Sequence, residues 1–146
     1  MTHRREPSGL SSGARWCIVV RSRERKRVTK MLVGHYTDKP DEPQEKPGNR
    51  GATMRRLITG DENAENFFMR VVVIEPGGCI GLHSHPYEHE IFVLNGVGRA
   101  MVEDGGTDVM PGDYVFIPGH EVHGFENTGA EPLEFICCIS NPDRLS

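Results

Sequence analysis

Four of the chain's seven histidines are spaced so that they could bind one metal ion. His83 and His85 are two residues apart, and on an extended strand their imidazoles would lie on the same side. His89 could return to that side at the start of the next strand, whereas His123 must come from a distant strand. Neutral imidazole is a common ligand of transition metals. The spacing therefore predicts one divalent metal per chain, with manganese, iron, zinc and nickel as candidates.

The segments around these histidines follow two sequence motifs, G(x)5HxH(x)3-4E(x)6G and then G(x)5PxG(x)2H(x)3N. The matching residues are Gly77, His83, His85 and Gly96 in the first motif and Gly112, Pro118, His123 and Asn127 in the second. Because of these residues, the chain resembles the cupin family from about residue 52 to residue 140. His120 stands where the second motif has its inner glycine, which is a departure from the family in a turn.

The fourth metal ligand has two candidates. The resemblance implies a glutamate between His85 and Gly96, as in the common cupin set of three histidines and one carboxylate. In this chain His89 occupies that position with both gaps allowed, whereas Glu90 fits only if the second gap is one residue shorter. Glu90 remains the alternative, and it would otherwise lie on the opposite strand face. The predicted ligands are His83, His85, His89 and His123.

The resemblance also implies a fold and an assembly. Cupins are all-β double-stranded β-helix barrels, also called jelly rolls, and they are commonly dimers. We therefore expect a β-barrel that forms a homodimer. Family members act as decarboxylases, isomerases, dioxygenases, epimerases and non-catalytic binders, so the fold does not fix the function.

The ligand set favours one kind of chemistry. Four neutral imidazoles leave the charge of the metal uncompensated, so the site should attract a small oxygenated anion. A carboxylate with a neighbouring carbonyl or hydroxyl group could chelate the metal, which would act as a Lewis acid in a decarboxylase, lyase or isomerase. A dioxygenase ranks lower because no carboxylate ligand is required. A cupin that only binds or senses the anion is the third possibility.

Candidate acid–base residues lie next to the predicted ligands. Glu90 and Glu88 are nearest in the sequence, Tyr87 could donate a proton, and His120 precedes His123 in its turn. Each is equally explained as a solvated residue at a strand end or turn. The predicted catalytic residues are Glu90, Tyr87 and His120.

The elements that position these residues are short strands. From Thr53 onward, apolar runs are separated by Gly, Pro, Asn and Asp, at spacings typical of an all-β sandwich or barrel. Turns are predicted at residues 75–78, 95–96, 104–106, 111–113 and 127–129. Three phenylalanines are predicted at inward positions, namely Phe92, Phe116 and Phe125. The strands are predicted in the runs MRRLIT, FFMRVVVIE, HEIFVLN, GRAMVE, DYVFIP, VHGFE and LEFICCIS.

The chain divides into an N-terminal arm, residues 1–50, and a barrel domain, residues 51–146. Residues 1–30 carry nine Lys or Arg against two acidic residues, and with a net charge of -4 for the whole chain the remainder carries -11. Residues 1–30 are expected to be disordered, as an inert tail or an artefact if the natural start is Met31, or as a transit-type peptide, and residues 34–50 are expected to form an extended linker. An acidic body argues against binding of nucleic acid.

The cysteines and the apolar runs suggest a compartment. Cys17, Cys79, Cys137 and Cys138 show no CxxC pattern, and the adjacent pair would form a strained disulfide, so we expect reduced thiols. The longest apolar run near the N-terminus, residues 16–20, is too short to span a bilayer. These features predict a cytoplasmic protein that does not bind a membrane.

Overall fold

The computed structural model describes residues 31–144, so the predicted basic arm at residues 1–30 lies outside the described part. The described residues form an all-β barrel, as the sequence predicts. Three short 3₁₀ helices accompany the strands, at Tyr36–Asp38, Gly60–Glu62 and Pro142–Arg144. The strands are β1 Glu42–Pro43, β2 Arg50–Ile58, β3 Phe67–His83, β4 His89–Asn95, β5 Gly98–Val102, β6 Gly105–Val109, β7 Tyr114–Ile117, β8 His123–Asn127 and β9 Leu133–Ser140. None of the helices in residues 31–144 is long and apolar enough to cross a membrane.

The strands form one curled antiparallel sheet in the order β6-β5-β8-β3-β9-β4-β7. Strand β2 also pairs with β3, and β1 pairs with β2. The segment before β2 therefore lies against the barrel, and the Gln44 amide donates a hydrogen bond to the Ala52 carbonyl. The glycine-rich segment GGTDV, which contributes only one buried apolar side chain, forms β6 and was not among the predicted strands.

Strand β3 pairs with a different strand in each of its halves, and this pairing corrects one sequence prediction. Its first half, residues 67–74, pairs with β9, and its second half, residues 79–83, pairs with β8. The prediction that a turn at residues 75–78 ends the strand is therefore wrong, because β3 continues through these residues. Gly77 has a φ of +72°, which allows the strand to bend there and continue with a new partner.

The barrel interior is filled by alternate residues of the paired strands. In β9 the buried positions are Leu133, Phe135, Cys137 and Ile139, and the phenyl ring of Phe135 packs against that of Phe125 with centroids 4.8 Å apart. This alternation confirms the predicted inward position of Phe125.

The inward positions predicted for two other phenylalanines are wrong. Phe92 is 47% exposed and Phe116 is 58% exposed. The reason is the register of their strands, because successive strand residues face opposite sides. Ile91 and Val93 are buried in β4, and Ile117 is buried in β7, so the phenylalanines next to them face outward.

Asn127, the last residue of the second motif, holds a loop to the bend of β3. It is 3% exposed, and its amide nitrogen donates to the carbonyls of Ile74 and Glu131, both at 2.8 Å. Its side-chain oxygen accepts a hydrogen bond from the Gly129 amide at 2.8 Å. The motif asparagine is thus a structural residue that joins β3, β8 and the loop before β9.

We expect Asn127→Ala to lower the free energy of unfolding by about 3 kcal/mol, because it removes three buried hydrogen bonds and leaves two carbonyls without this donor. Denaturant unfolding measures this loss. Thr128→Ala, at the exposed neighbouring position, is the control and should change stability by less than about 0.5 kcal/mol. Equal stability of the two variants would contradict the structural role of Asn127.

Candidate metal centre

Three histidine side chains converge at one end of the barrel. One ring nitrogen from each of His83, His85 and His123 lies within 4.8 Å of the others. His83 ends β3 and lies directly opposite His123, which begins β8, so the pairing of these strands fixes two of the three. His85 lies two residues beyond the end of β3, and its ring centroid is 4.9 Å from that of His123. The predicted HxH pair therefore does not lie on one continuous strand.

Backbone carbonyls orient all three imidazoles in the same way. In each case the Nδ1 atom lies within hydrogen-bond distance of a carbonyl two residues away, and a carbonyl can only accept, so Nδ1 carries the proton. Each Nε2 atom is then left with a lone pair for a metal, which is the arrangement that metal-binding histidines show. The pairs are His83 with Gly81 at 2.9 Å, His85 with Tyr87 at 2.9 Å and His123 with Glu121 at 2.8 Å.

The buried Nε2 atom of His123 supports a metal at this point. His123 is 3% exposed, and its Nε2 atom has no hydrogen-bond partner among the described residues. A buried polar atom without a partner costs free energy, and a metal ion would satisfy it. The donor set therefore fits a divalent transition metal.

His89 lies at the edge of this cluster, at the start of β4. It is 6% exposed, its ring stacks on that of His85 with centroids 4.4 Å apart, and the two Nε2 atoms are 2.6 Å apart. Its Nδ1 atom lies 3.1 Å from the Cys137 sulfur. Two lone pairs at this distance repel each other, so either His89 carries a proton on Nε2 or both nitrogens share a metal. The fourth-ligand role of His89 stays a prediction.

Burial disfavours the charged form of three of these histidines, His85, His89 and His123. Burial, with a further contribution from His123, lowers the pKa of His85 from 6.5 to about 4. Burial, with a further contribution from the Arg70 charge, lowers the pKa of His89 to about 2, and burial also lowers the pKa of His123. Their ring nitrogens are therefore available as metal ligands at neutral pH without prior loss of a proton.

Comparisons with known proteins agree with this geometry. A family model described as the Cupin domain matches residues 70–139. The chain is also 33% identical to the oxalate-binding protein of Thermotoga maritima over 119 residues, which are 78% of this chain and 97% of that protein. The chain belongs to the cupin family. The resemblance seen in the two sequence motifs is thereby confirmed.

Other relatives of this cupin have different activities. The structure of the polyketide cyclase RemF from Streptomyces resistomycificus superimposes with a TM-score of 0.71 at 32% identity, covering 76% of this chain and 80% of that one. The 1-methylthio-D-xylulose 5-phosphate methylsulfurylase of Rhodospirillum rubrum is 34% identical over 91 residues, 62% of this chain and 57% of that protein. The family is established, and these names do not agree on one substrate.

The predicted acid–base residues of this cupin lie in three different environments. Tyr87 lines the cavity beside the histidines and stacks on the His85 ring at a centroid distance of 3.7 Å. Glu90 is exposed in β4 next to the inward His89, so it lies on the outer face of the barrel. His120 is exposed in its turn, and its amide donates to the His85 carbonyl at 2.7 Å. Of these three residues, Tyr87 is the one that lines the cavity.

His120 also resolves the departure from the second motif. It has a φ of +69°, the left-handed conformation that glycine adopts most readily. The backbone turn of the family is therefore kept although the side chain differs. His120 consequently acts on the site through its backbone amide, which fixes the loop that carries His85.

The cavity contains one group that the sequence prediction missed. The cavity beside the histidines measures about 540 Å³, and its wall includes Arg70, four other residues of β3 and part of the segment before β2. Arg70 could have been noticed because it is a charged residue within the apolar run FFMRVVVIE. It is two residues from the buried Val72 in the same strand and so faces the same side.

Proposed function

We propose that this cupin binds one divalent transition metal through His83, His85 and His123, with His89 beside them, and that it chelates a small oxygenated anion on that metal. The ligand class is a carboxylate with a neighbouring carbonyl or hydroxyl group. The observation that supports this proposal is the set of three imidazoles, each with one ring nitrogen within 4.8 Å of the others and each oriented by a backbone carbonyl.

The described residues suit an anion more than a neutral ligand. None of the described residues that line the cavity is Asp or Glu, whereas the cations Lys46 and Arg70 do line it. A divalent metal would add further positive charge and would polarise a bound carbonyl as a Lewis acid. Tyr87 is positioned to donate a proton or a hydrogen bond to the bound ligand, because it stacks on His85 at the cavity wall. This arrangement supports a decarboxylase, lyase or isomerase.

A non-catalytic anion-binding function is the second candidate. It is favoured by the relative from Thermotoga maritima, which is named an oxalate-binding protein and is matched over 97% of its length. A dioxygenase is favoured less, because the Glu90 side chain lies on the outer face and would leave the site without the carboxylate of a facial triad.

Titration of oxalate into metal-loaded and metal-free protein tests the proposal. We expect oxalate to bind the manganese-loaded protein at least tenfold more tightly than the metal-free protein, as measured by isothermal titration calorimetry. Equal affinity in both forms would contradict chelation on a metal. Following oxalate and pyruvate over time by NMR then separates the two candidates, because an enzyme depletes its substrate and a binding protein does not.

A further inference from the structure

Arg70 is a cation inside the barrel that has no anionic partner. Its Nη1 atom lies 3.9 Å from the Met54 sulfur and its Nη2 atom lies 3.4 Å from the Cys137 sulfur. Its Nε atom is buried and has no acceptor, and no carboxylate in residues 31–144 forms an ion pair with it. Sulfur is a weak acceptor and a guanidinium is always charged, so the donors of Arg70 are poorly satisfied.

A cation in this state is unusual because it does not contribute to a structural ion pair. Arg56 offers a contrast, since it lines the same cavity but is paired with Glu42. Buried charges are normally paired, because desolvation of an unpaired ion costs several kcal/mol. Arg70 is half-buried, so its charge is partly removed from water without a carboxylate partner among residues 31–144, and it lines the same cavity as the three histidines.

The cavity is large enough for a ligand that reaches both Arg70 and the metal-binding histidines. At about 540 Å³ the cavity is within the range of sites for drug-sized ligands, and it is much larger than an oxalate ion needs. Its wall combines cationic side chains with apolar ones, including Ile91 and Phe135. A ligand that fills it would have an apolar chain between its two polar ends.

We propose that Arg70 binds a second anionic group of the ligand, at the opposite end from the group that chelates the metal. This inference rests on the chelating function proposed above. It names the ligand class as a 2-oxo or 2-hydroxy acid with a distal carboxylate or phosphate. The planar fork of N–H donors in a guanidinium matches both of these groups. Arg70 is thus a specificity-determining residue for long dianionic ligands.

Pairs of acids that differ only at the distal end test this inference. 2-Oxoglutarate and 2-oxopentanoate have the same chain length, but 2-oxopentanoate lacks the distal carboxylate. Phosphohydroxypyruvate and hydroxypyruvate form the corresponding pair for phosphate. Using calorimetry on protein saturated with manganese, we expect the wild type to bind at least one dianionic acid about tenfold or more tightly than its partner. The pair that shows the difference identifies the distal group.

Variants then assign this preference to Arg70. In Arg70→Met the tenfold preference should fall to about onefold, because the affinity for the dianionic acid should fall about tenfold more than the affinity for 2-oxopentanoate. Arg70→Lys should retain part of the preference, because it keeps the charge but loses the planar fork. Arg56→Met is the matched control, since it removes a cavity cation that is already paired, and it should keep the preference.

Three results would overturn the inference. They are a wild type that prefers neither dianionic acid, a preference that survives in Arg70→Met, and a preference that is lost in Arg56→Met instead. The first result needs no variant, so it holds even if Arg70→Met does not fold. Metal content and melting temperature of each variant establish that the protein is loaded and folded.

Failure of the inference is distinguishable from failure of the proposed function. If oxalate binds no better to the metal-loaded protein, chelation on a metal is wrong regardless of Arg70. Inorganic phosphate titrated into metal-free protein then decides whether Arg70 is an anion receptor by itself. Weaker phosphate binding in Arg70→Met than in Arg56→Met would support the receptor, and equal binding in the two variants would exclude it.

Discussion

Alanine in place of His123 is expected to lower the affinity for a divalent metal by more than about 100-fold, so that the purified protein no longer contains stoichiometric metal. Residues that only orient a metal ligand cost 10- to 100-fold when they are replaced, and loss of a ligand costs more. The Nε2 atom of His123 is buried without a partner among residues 31–144, and one ring nitrogen of His123 lies within 4.8 Å of a ring nitrogen of each of the other two histidines. Elemental analysis of protein purified without an affinity tag measures the effect.

The control for His123→Ala is His120→Asn, three residues earlier in the chain. His120 is exposed, and asparagine tolerates its left-handed backbone conformation, so metal content should be unchanged. A melting curve recorded for each variant separates loss of metal from loss of fold. Full metal content in a folded His123→Ala variant would contradict the assigned site.

Elemental analysis of two β4 variants decides which residue is the fourth metal ligand. We expect His89→Ala to weaken metal binding by about 10- to 100-fold, because its Nε2 atom lies 2.6 Å from that of His85. Glu90→Ala should leave metal content unchanged, because Glu90 lies on the outer face. If metal content instead fell with Glu90→Ala and survived His89→Ala, the ligand set would be three histidines and a carboxylate, and dioxygenase chemistry would be favoured.

Alanine in place of Gly96, the last residue of the first motif, is expected to be the more costly of two glycine substitutions. Gly96 has a φ of +75°, and a Cβ atom there would overlap the Pro132 carbonyl oxygen and lie 2.8 Å from the Leu133 Cα atom. Both contacts are with backbone, which cannot move aside as a side chain can. We expect a loss of about 1 kcal/mol from the φ angle and a further 1–3 kcal/mol from the overlap, measured by denaturant unfolding.

Gly77→Ala is the matched control for this effect. Gly77 has a φ of +72°, nearly the same as Gly96, but a Cβ atom there would have no heavy atom within 4 Å apart from its chain neighbours. This variant should therefore show the backbone cost of about 1 kcal/mol alone. Equal losses in the two variants would mean that the close approach of Gly96 to Pro132 is not needed for stability.

The sequence predicted the fold because its signals are local and agree with one another. Gly96 follows Asn95 at a predicted turn, and the structure ends β4 there. Two motifs with fixed spacing, ending in Gly96 and Asn127, place the four histidines on or next to strands that pair in the barrel. The identity of the family follows from those spacings, and the comparisons confirm it.

The direction of individual side chains was less predictable. Phe92 and Phe116 have large apolar side chains of the kind found in protein cores, yet both face outward. The face on which a strand residue lies depends on the pairing register, and a shift of one residue inverts every side chain. In β4 the register that turns His89 inward also turns Phe92 and Glu90 outward. The register of β4 therefore explains both why the inward position predicted for Phe92 is wrong and why Glu90, the alternative fourth metal ligand, lies on the outer face.

By itself, then, the sequence determined an all-β cupin barrel and the histidines that could bind a metal, because residue spacing along strands sets which side chains can meet. Only the tertiary structure decided that Glu90 lies outside and that Arg70 lies in the same cavity as the histidines, with no carboxylate partner among residues 31–144. The bend of β3 at Gly77 was equally beyond local signals, since a strand changes partners there. These features depend on pairing between residues far apart in the chain, which no local pattern encodes.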